Sequence, residues 1–164
     1  IGVRLVGSEM CIRDSVGDCR AIVSRDGLAI PLTKDHKPNW KNEKVRINEL
    51  GGVIKKDRGD DWRIQDLSVS RAFGDLDHDK YVTHKPDLYN YKLTQKDDFV
   101  VLGCDGLYDT LENQEIAQFV IDNYHKYKSK ISTKLAEFAI YNGSTDNVSV
   151  IVIILNHNKI KRKK

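Results

Sequence analysis

The chain has 164 residues, 40% hydrophobic and 31% charged, with no short repeat, a composition that can bury a core and excludes a collagen-like, coiled or wholly disordered protein. Its longest apolar stretch, 148–155, falls far short of the roughly 18 residues a membrane helix requires. The formal charge of +3 is owed to Lys159, Lys161, Arg162, Lys163 and Lys164; without them the balance turns negative, so no broad basic face speaks for a nucleic-acid partner.

Residues 1–15 (IGVRLVGSEMCIRDS) follow neither a strand nor a helix period cleanly. The string VGSEMCIRDS resembles translated sequencing adaptor, so a non-native leader joined near Val16 is expected, the alternative being a divergent strand and loop. From there the pattern is regular. Residues 19–24 read as a strand, Arg25-Asp26-Gly27 as a tight turn and 28–32 as the returning strand. Pro38 and Asn39 open a helix over 40–50 with Trp40, Ile47 and Leu50 on one face, ended by Gly51-Gly52.

Residues 55–61 read as a loop, 62–69 as a strand pair or a strand and bend, and 70–73 as a short helical turn before Gly74-Asp75. A weak strand covers 87–92. The run Phe99-Val100-Val101-Leu102 has the unbroken apolarity of a strand buried on both faces, and it stops abruptly at Cys104-Asp105-Gly106. Asn113 is placed to cap a helix reaching about Tyr127, with Ile116, Phe119, Val120 and Tyr124 inward. A second helix over 132–141 buries Leu135, Phe138 and Ala139. Asn142-Gly143-Ser144 then turns the chain into a last strand, 148–155, and 156–164 form a solvated basic tail. Strands, then two helices, then a strand favour an α+β fold over a doubly wound parallel sheet.

A carboxylate fixed at the end of a buried strand and followed by glycine, as Asp105 is, suits a hard divalent cation. Asp146, in Gly143-Ser-Thr-Asp-Asn147 just before the final strand, is a second acid at a strand end. Taken singly, both are ordinary turn aspartates. Three cysteines (Cys11, Cys19 and Cys104), with no CxxC pair, indicate a reduced intracellular protein in the cytoplasm or nucleus and no zinc site.

Six blocks, in order, resemble the metal-dependent type 2C family of serine/threonine protein phosphatases. They are Val16-Gly-Asp-Cys-Arg-Ala; Leu32-Thr-Lys-Asp-His-Lys-Pro38; Glu43-Lys-Val-Arg-Ile47 with Gly51-Gly52; Leu67-Ser-Val-Ser-Arg-Ala-Phe-Gly-Asp75, with Ser68 where the family has alanine; 99–109 with Asn113-Gln-Glu115, with Tyr108 in place of tryptophan; and 143–150. The resemblance implies a four-layer α-β-β-α sandwich of two antiparallel sheets flanked by helices, incomplete here, of which 16–155 is the C-terminal portion. It also implies a binuclear Mg²⁺ or Mn²⁺ centre, attack on phosphorus by a metal-activated water, phosphoprotein substrates and a monomeric enzyme.

By position Asp105 and Asp146 are the metal ligands. Asn147 steadies the Asp146 turn and Asp109 caps the short helix after Gly106. His36 is structural, Arg71 and Asp75 tie a surface turn together, and Cys104 is a small buried hydrophobe. Asp18, Arg20 and Glu43 support the fold around the site. The family's remaining site residues, an arginine, a Glu-Asp pair and an Asp-Gly-His segment, have no counterpart in these residues. The 164 residues alone are therefore expected to be inactive and poorly stable, and no catalytic side chain is assigned. A catalytically dead relative acting as a binding module is the alternative. A Mg²⁺-dependent nucleotide hydrolase is disfavoured because no G-x-x-x-x-G-K-[ST] loop exists to cradle nucleotide phosphates.

Overall fold

The computed structural model describes residues 2–6, 10–57, 59, 61–156 and 160. In chain order the strands are β1 (Gly2–Val6), β2 (Met10–Ser15), β3 (Arg20–Arg25), β4 (Leu28–Pro31), β5 (Ile54–Lys56), β6 (Trp62–Ile64), β7 (Asp87–Lys92), β8 (Asp97–Gly103) and β9 (Val150–Ile154). The helices are α1 (Lys41–Glu49), α2 (Asp105–Tyr108), α3 (Asn113–Tyr127) and α4 (Ile131–Tyr141). All strand pairing within the sheets is antiparallel: β4-β3-β8-β9, β1-β2-β7 and the ribbon β5-β6. The fold is α+β, as the sequence predicts.

Every residue of β8 is buried, which is what its unbroken apolar run demands. Alternation sends its side chains to two cores. Phe99 and Val101, with Ile22 of β3, meet Ile116 and Val120 of α3 and Leu135 and Ala139 of α4. Val100 and Leu102, with Ala21 and Val23 of β3, face the other way, where Tyr91 of β7 packs against them. The four-stranded sheet thus has helices on one face and the second sheet on the other. A third cluster, Ile47, Ile64 and Val82, joins α1 to the ribbon and the loop beyond it.

Two expectations for the loops are corrected. The loop at 55–61 begins as strand β5, because Lys55 and Lys56 pair with Arg63 and Trp62; only its tip turns, with Asp57 accepting from the amides of Gly59 and Asp61. Residues 70–73 are not a helical turn. Ser70 N–H bonds the carbonyl of His36 at 2.8 Å and Arg71 bridges Thr83, long-range partners that a helix would forfeit. The 3₁₀ turn comes later, at Leu76–His78, entered through Asp75 in the left-handed region at φ 50°.

In α1 the buried residues are Glu43 and Ile47, whereas Leu50 is exposed. Trp40 lies just outside the helix, tilted against the His36 ring and covered by Lys34. Gly51 takes φ 80°, the left-handed helix stop expected of it. In α3 the cap is Glu112, not Asn113: the Glu112 carboxylate accepts from the backbone N–H of Glu115, and the Glu115 side chain from that of Glu112. Phe119 and Phe138 are partly buried and stack with ring centres 4.6 Å apart, joining α3 to α4.

The segment expected as a leader supplies β1 and β2, and β2 pairs with β7 over six residues from Met10↔Lys92 to Ser15↔Asp87. Its residues 1 and 7–9 lie outside the described residues, as do 157–159 and 161–164 of the tail. Ile160 is buried against the helix-side core. Among the described residues no helix is long and apolar enough to cross a membrane.

Candidate functional site

Asp105 is positioned by the end of β8. Gly103 closes the strand so tightly against α2 that a Cβ there would stand 2.5 Å from Leu107 Cδ2. Cys104 follows with extended backbone, and Asp105 begins α2, its Oδ1 accepting the Gly106 N–H at 2.9 Å. The loop before β9 packs directly on this turn. A Cβ on Gly106 would come within 2.4 Å of the Asn147 carbonyl oxygen and 3.4 Å of Asp146 Cβ, so glycine is required for the approach.

Polar bonds pin the two segments together. Ser144 Oγ donates to the Gly106 carbonyl at 2.7 Å, and Cys104 N–H donates to the Ser149 carbonyl at 3.2 Å. Cys104 Sγ–H donates to the Asn147 carbonyl at 3.1 Å, while Sγ accepts from the Ser149 amide at 3.2 Å. Asp146 Oδ1 accepts the Asn147 N–H at 2.6 Å. Each aspartate thus binds the amide that follows it through one oxygen. The structure brings together the two residues the sequence singles out. Asn147 acts by its backbone, and Cys104 is a half-buried hydrogen-bonding link between segments rather than a buried hydrophobe.

The surroundings are crowded with carboxylates. Partial desolvation raises the Asp109 carboxyl above its usual range, and the charges of Asp105, Asp18 and Asp35 add to the rise against the pull of Lys37. Lys37 Nζ meets Asp18 Oδ2 at 2.5 Å; burial alone would lower its pKa, but the Asp18 bond and the neighbouring acids hold it above the ordinary lysine value. Burial pushes the Cys19 thiol up, and Asp18, Cys104 and Asp105 reinforce this. Asp109 is the C-terminal cap of α2, its backbone N–H bonding the Asp105 carbonyl at 2.8 Å.

Arg20 forks onto Asp35 at 3.0 and 2.6 Å, donates to Asn113 Oδ1 at 2.9 Å and lies 4.7 Å over the Tyr108 ring. It ties β3, α2 and α3 behind the aspartates. Asn113, expected as a cap, is the acceptor in this network; the Glu112 and Glu115 spacing was the signal for the real cap.

Two other candidates stand elsewhere. His36 is fully buried, with Nδ1 3.1 Å from the Gly17 carbonyl and Nε2 3.1 Å from Asp87 Oδ2, a structural role as expected. Arg71 does not pair with Asp75. It reaches Glu43 at 2.7 Å and Asp87 at 2.7 Å, while Asp75 is exposed. Asp75 is held instead by its turn conformation.

Among the described residues no three His, Cys, Asp or Glu side chains are grouped so as to hold a metal ion. Among the described residues the available set is two carboxylates, each binding the following amide through one oxygen, amid excess negative charge. That fits one edge of a Mg²⁺ or Mn²⁺ site, because Mg²⁺ is commonly bound by one or two carboxylates and completed by waters and phosphate oxygens.

A family model described as protein phosphatase 2C matches residues 7–148. A PP2C-like domain-containing protein of Acanthamoeba polyphaga mimivirus is 49% identical over 166 aligned positions, covering 87% of this chain and 92% of that protein. The probable protein phosphatase 2C 32 of rice is 38% identical over 86% of this chain, which spans only 37% of the rice protein's length. Among solved structures, a C. elegans sex-determining protein superposes with a TM-score of 0.86 at 26% identity, covering 93% of this chain and 39% of that one.

Proposed function

The chain belongs to the protein phosphatase 2C family, and we propose on that footing that the protein hydrolyses phosphoserine and phosphothreonine in other proteins, with Asp105 and Asp146 as ligands of Mg²⁺ or Mn²⁺. The carrying observation is the packing of the Asp105-Gly106 turn on the Asp146-Asn147 loop, which holds two carboxylates at neighbouring strand ends. A divalent cation bound there supplies a lowered water pKa and neutralisation of charge on the phosphoryl oxygens.

The protein's own contribution is rigidity. Asp105 is fixed by a strand buried on both faces and by the Gly106 amide; Asp146 is fixed by the Asn147 amide, by the Cys104 bond to its loop and by the Ser144 bond from that loop to the Gly106 carbonyl. A binuclear centre needs more oxygen donors than these two residues, so this stretch supplies one edge of it. In this reading the protein works as a monomer in the cytoplasm or nucleus, where its thiols stay reduced.

The test uses the full-length protein, with Mn²⁺ binding followed by calorimetry and phosphate release from a phosphothreonine peptide. Asp105→Asn and Asp146→Asn should each weaken Mn²⁺ binding at least about tenfold and abolish release. Undiminished hydrolysis in a chelator would overturn the reading. The same test decides a second reading, a binding module without activity. Full-length protein that folds but neither binds Mn²⁺ nor releases phosphate would establish it.

A further inference from the structure

Cys19 and Cys104 stand one step beyond the last registered pair of the β3–β8 ladder, Arg20 opposite Gly103. Continuing that register sets the two cysteines opposite each other. Opposed residues in an antiparallel ladder project to the same face, with Cα atoms about 4.5–5.5 Å apart. That span lies inside the roughly 4.4–6.8 Å over which a disulfide closes without backbone movement. Both thiols are free and half-buried. Both line one cavity of about 170 Å³, together with Leu102, Ser149 and Val150. They also continue the face of Ala21 and Leu102, which looks toward the second sheet.

We propose that Cys19 and Cys104 are a dithiol that closes reversibly to an intrachain disulfide under hydrogen peroxide. One thiol takes an oxygen from the peroxide, giving a sulfenic acid and water. The other sulfur attacks it, the S–S bond forms and a second water leaves. In balance, two thiols give up two protons and two electrons, and one peroxide becomes two waters.

Closure changes what Cys104 does for its neighbours. As a thiol it donates to the Asn147 carbonyl and accepts from the Ser149 amide, clamping the end of β8 to the loop of Asp146. A disulfide sulfur has no hydrogen to donate, and its bond to Cys19 draws it off that loop. Oxidation therefore loosens the approach of Asp146 to Asp105. The functional weight of this step rests on the reading of those aspartates as metal ligands, but the linkage itself does not.

The test takes the reduced full-length protein, dilute enough to suppress contacts between molecules, through hydrogen peroxide treatment and digestion without reduction. The expected product is a crosslinked peptide pair joining Cys19 to Cys104. The Cys19 and Cys104 thiols should be lost to alkylation and recovered with dithiothreitol. Cys19→Ser and Cys104→Ser should each abolish the crosslink while keeping the reduced fold by circular dichroism. Hydrogen exchange at Asn147, Val148 and Ser149 should quicken on oxidation in the parent chain and not in Cys19→Ser. Crosslinks only through Cys11, only between chains, or sulfinic acids without a 19–104 bond would overturn the pairing; unchanged exchange in the crosslinked chain would overturn the loosening. None of these readouts uses phosphatase activity, so a failure here and a failure of metal binding are told apart.

Discussion

Glu43 and Arg71, 28 residues apart in the chain, meet in a buried ion pair: the Glu43 Oε1 accepts from Arg71 Nη2 at 2.7 Å and from Nε at 3.1 Å. Arg46, one turn further along α1, takes the other oxygen at 2.9 Å. The glutamate is 1% exposed, so the two arginines are its solvent. Replacing it by alanine takes a carboxylate partner from two guanidinium groups, leaving Arg71, which is barely accessible, with Asp87 and Arg46 with backbone carbonyls alone. Glu43→Ala is expected to cost about 3–5 kcal/mol of stability, and Glu43→Gln less, both read from urea denaturation midpoints. A loss below 1 kcal/mol for the alanine variant would mean that the pair contributes no more than a surface one.

The same contacts set an acid limit. Burial would raise the Glu43 carboxyl, but bonds from Arg71 and Arg46 outweigh it and hold the group below its ordinary range. Asp87, against His36 and Arg71, and Asp97, against Arg25, Thr94 and Tyr91, are depressed despite desolvation in the same way. A carboxylate with a depressed folded pKa stabilises fully above its unfolded value, near 4, and loses that contribution as pH falls through the folded one. Asp109, raised instead, works in the opposite sense and adds stability as pH falls past its own value. Stability in chelator should therefore hold or rise slightly on acidification toward about pH 5 and fall steeply below about pH 4. A thermal midpoint that climbs continuously into the acid range would contradict this assignment.

Gly106→Ala tests whether the approach of the two aspartate loops matters. The added methyl would meet the Asn147 carbonyl oxygen at 2.4 Å, which backbone can relieve only by separating the loops. The expectation is a loss of about 1–3 kcal/mol, together with weakened Mn²⁺ binding by the full-length protein. Unchanged metal affinity in the folded variant would separate the glycine from the site.

His36→Ala is expected to destabilise by about 2–4 kcal/mol, because it opens a buried space and removes the ring's bonds to Asp87 and to the Gly17 carbonyl, which keeps only the residue 36 backbone N–H. In the full-length protein under stabilising conditions, the KM and pH profile of hydrolysis should be unchanged. A shifted pH profile would assign this ring a part in the chemistry.

The 164 residues on their own should show no Mn²⁺-dependent hydrolysis of p-nitrophenyl phosphate, since two carboxylates alone leave a metal site underfurnished. Measurable turnover that vanishes in Asp105→Asn would overturn that expectation.

What could be read from the sequence was local. Strand β8 declared itself because an unbroken apolar run ending in Cys-Asp-Gly has few other solutions, and α3 and α4 followed from their periodicity. The pairing of Arg71 with Glu43 and Asp87 could not be read, because it depends on where a loop falls after three other segments are placed. The proximity of Asp105 to Asp146 was legible only through family resemblance; the Cys104–Asn147 bond that secures it joins residues 43 apart. Residues 70–73 misled for a related reason: their short-range pattern suits a turn, but His36 and Thr83 offered better backbone partners.

Because β8 feeds one core with Phe99 and Val101 and the other with Val100 and Leu102, its length is as constrained as its composition. Removing any single residue between Asp97 and Gly103 would exchange the two sets of side chains and turn Asp105 toward the opposite side of the sheet. Point substitutions in this strand can be absorbed by neighbours, but a one-codon deletion cannot. The tip of the β5-β6 ribbon, around Gly59, carries no such constraint, and insertions there should leave both cores in register.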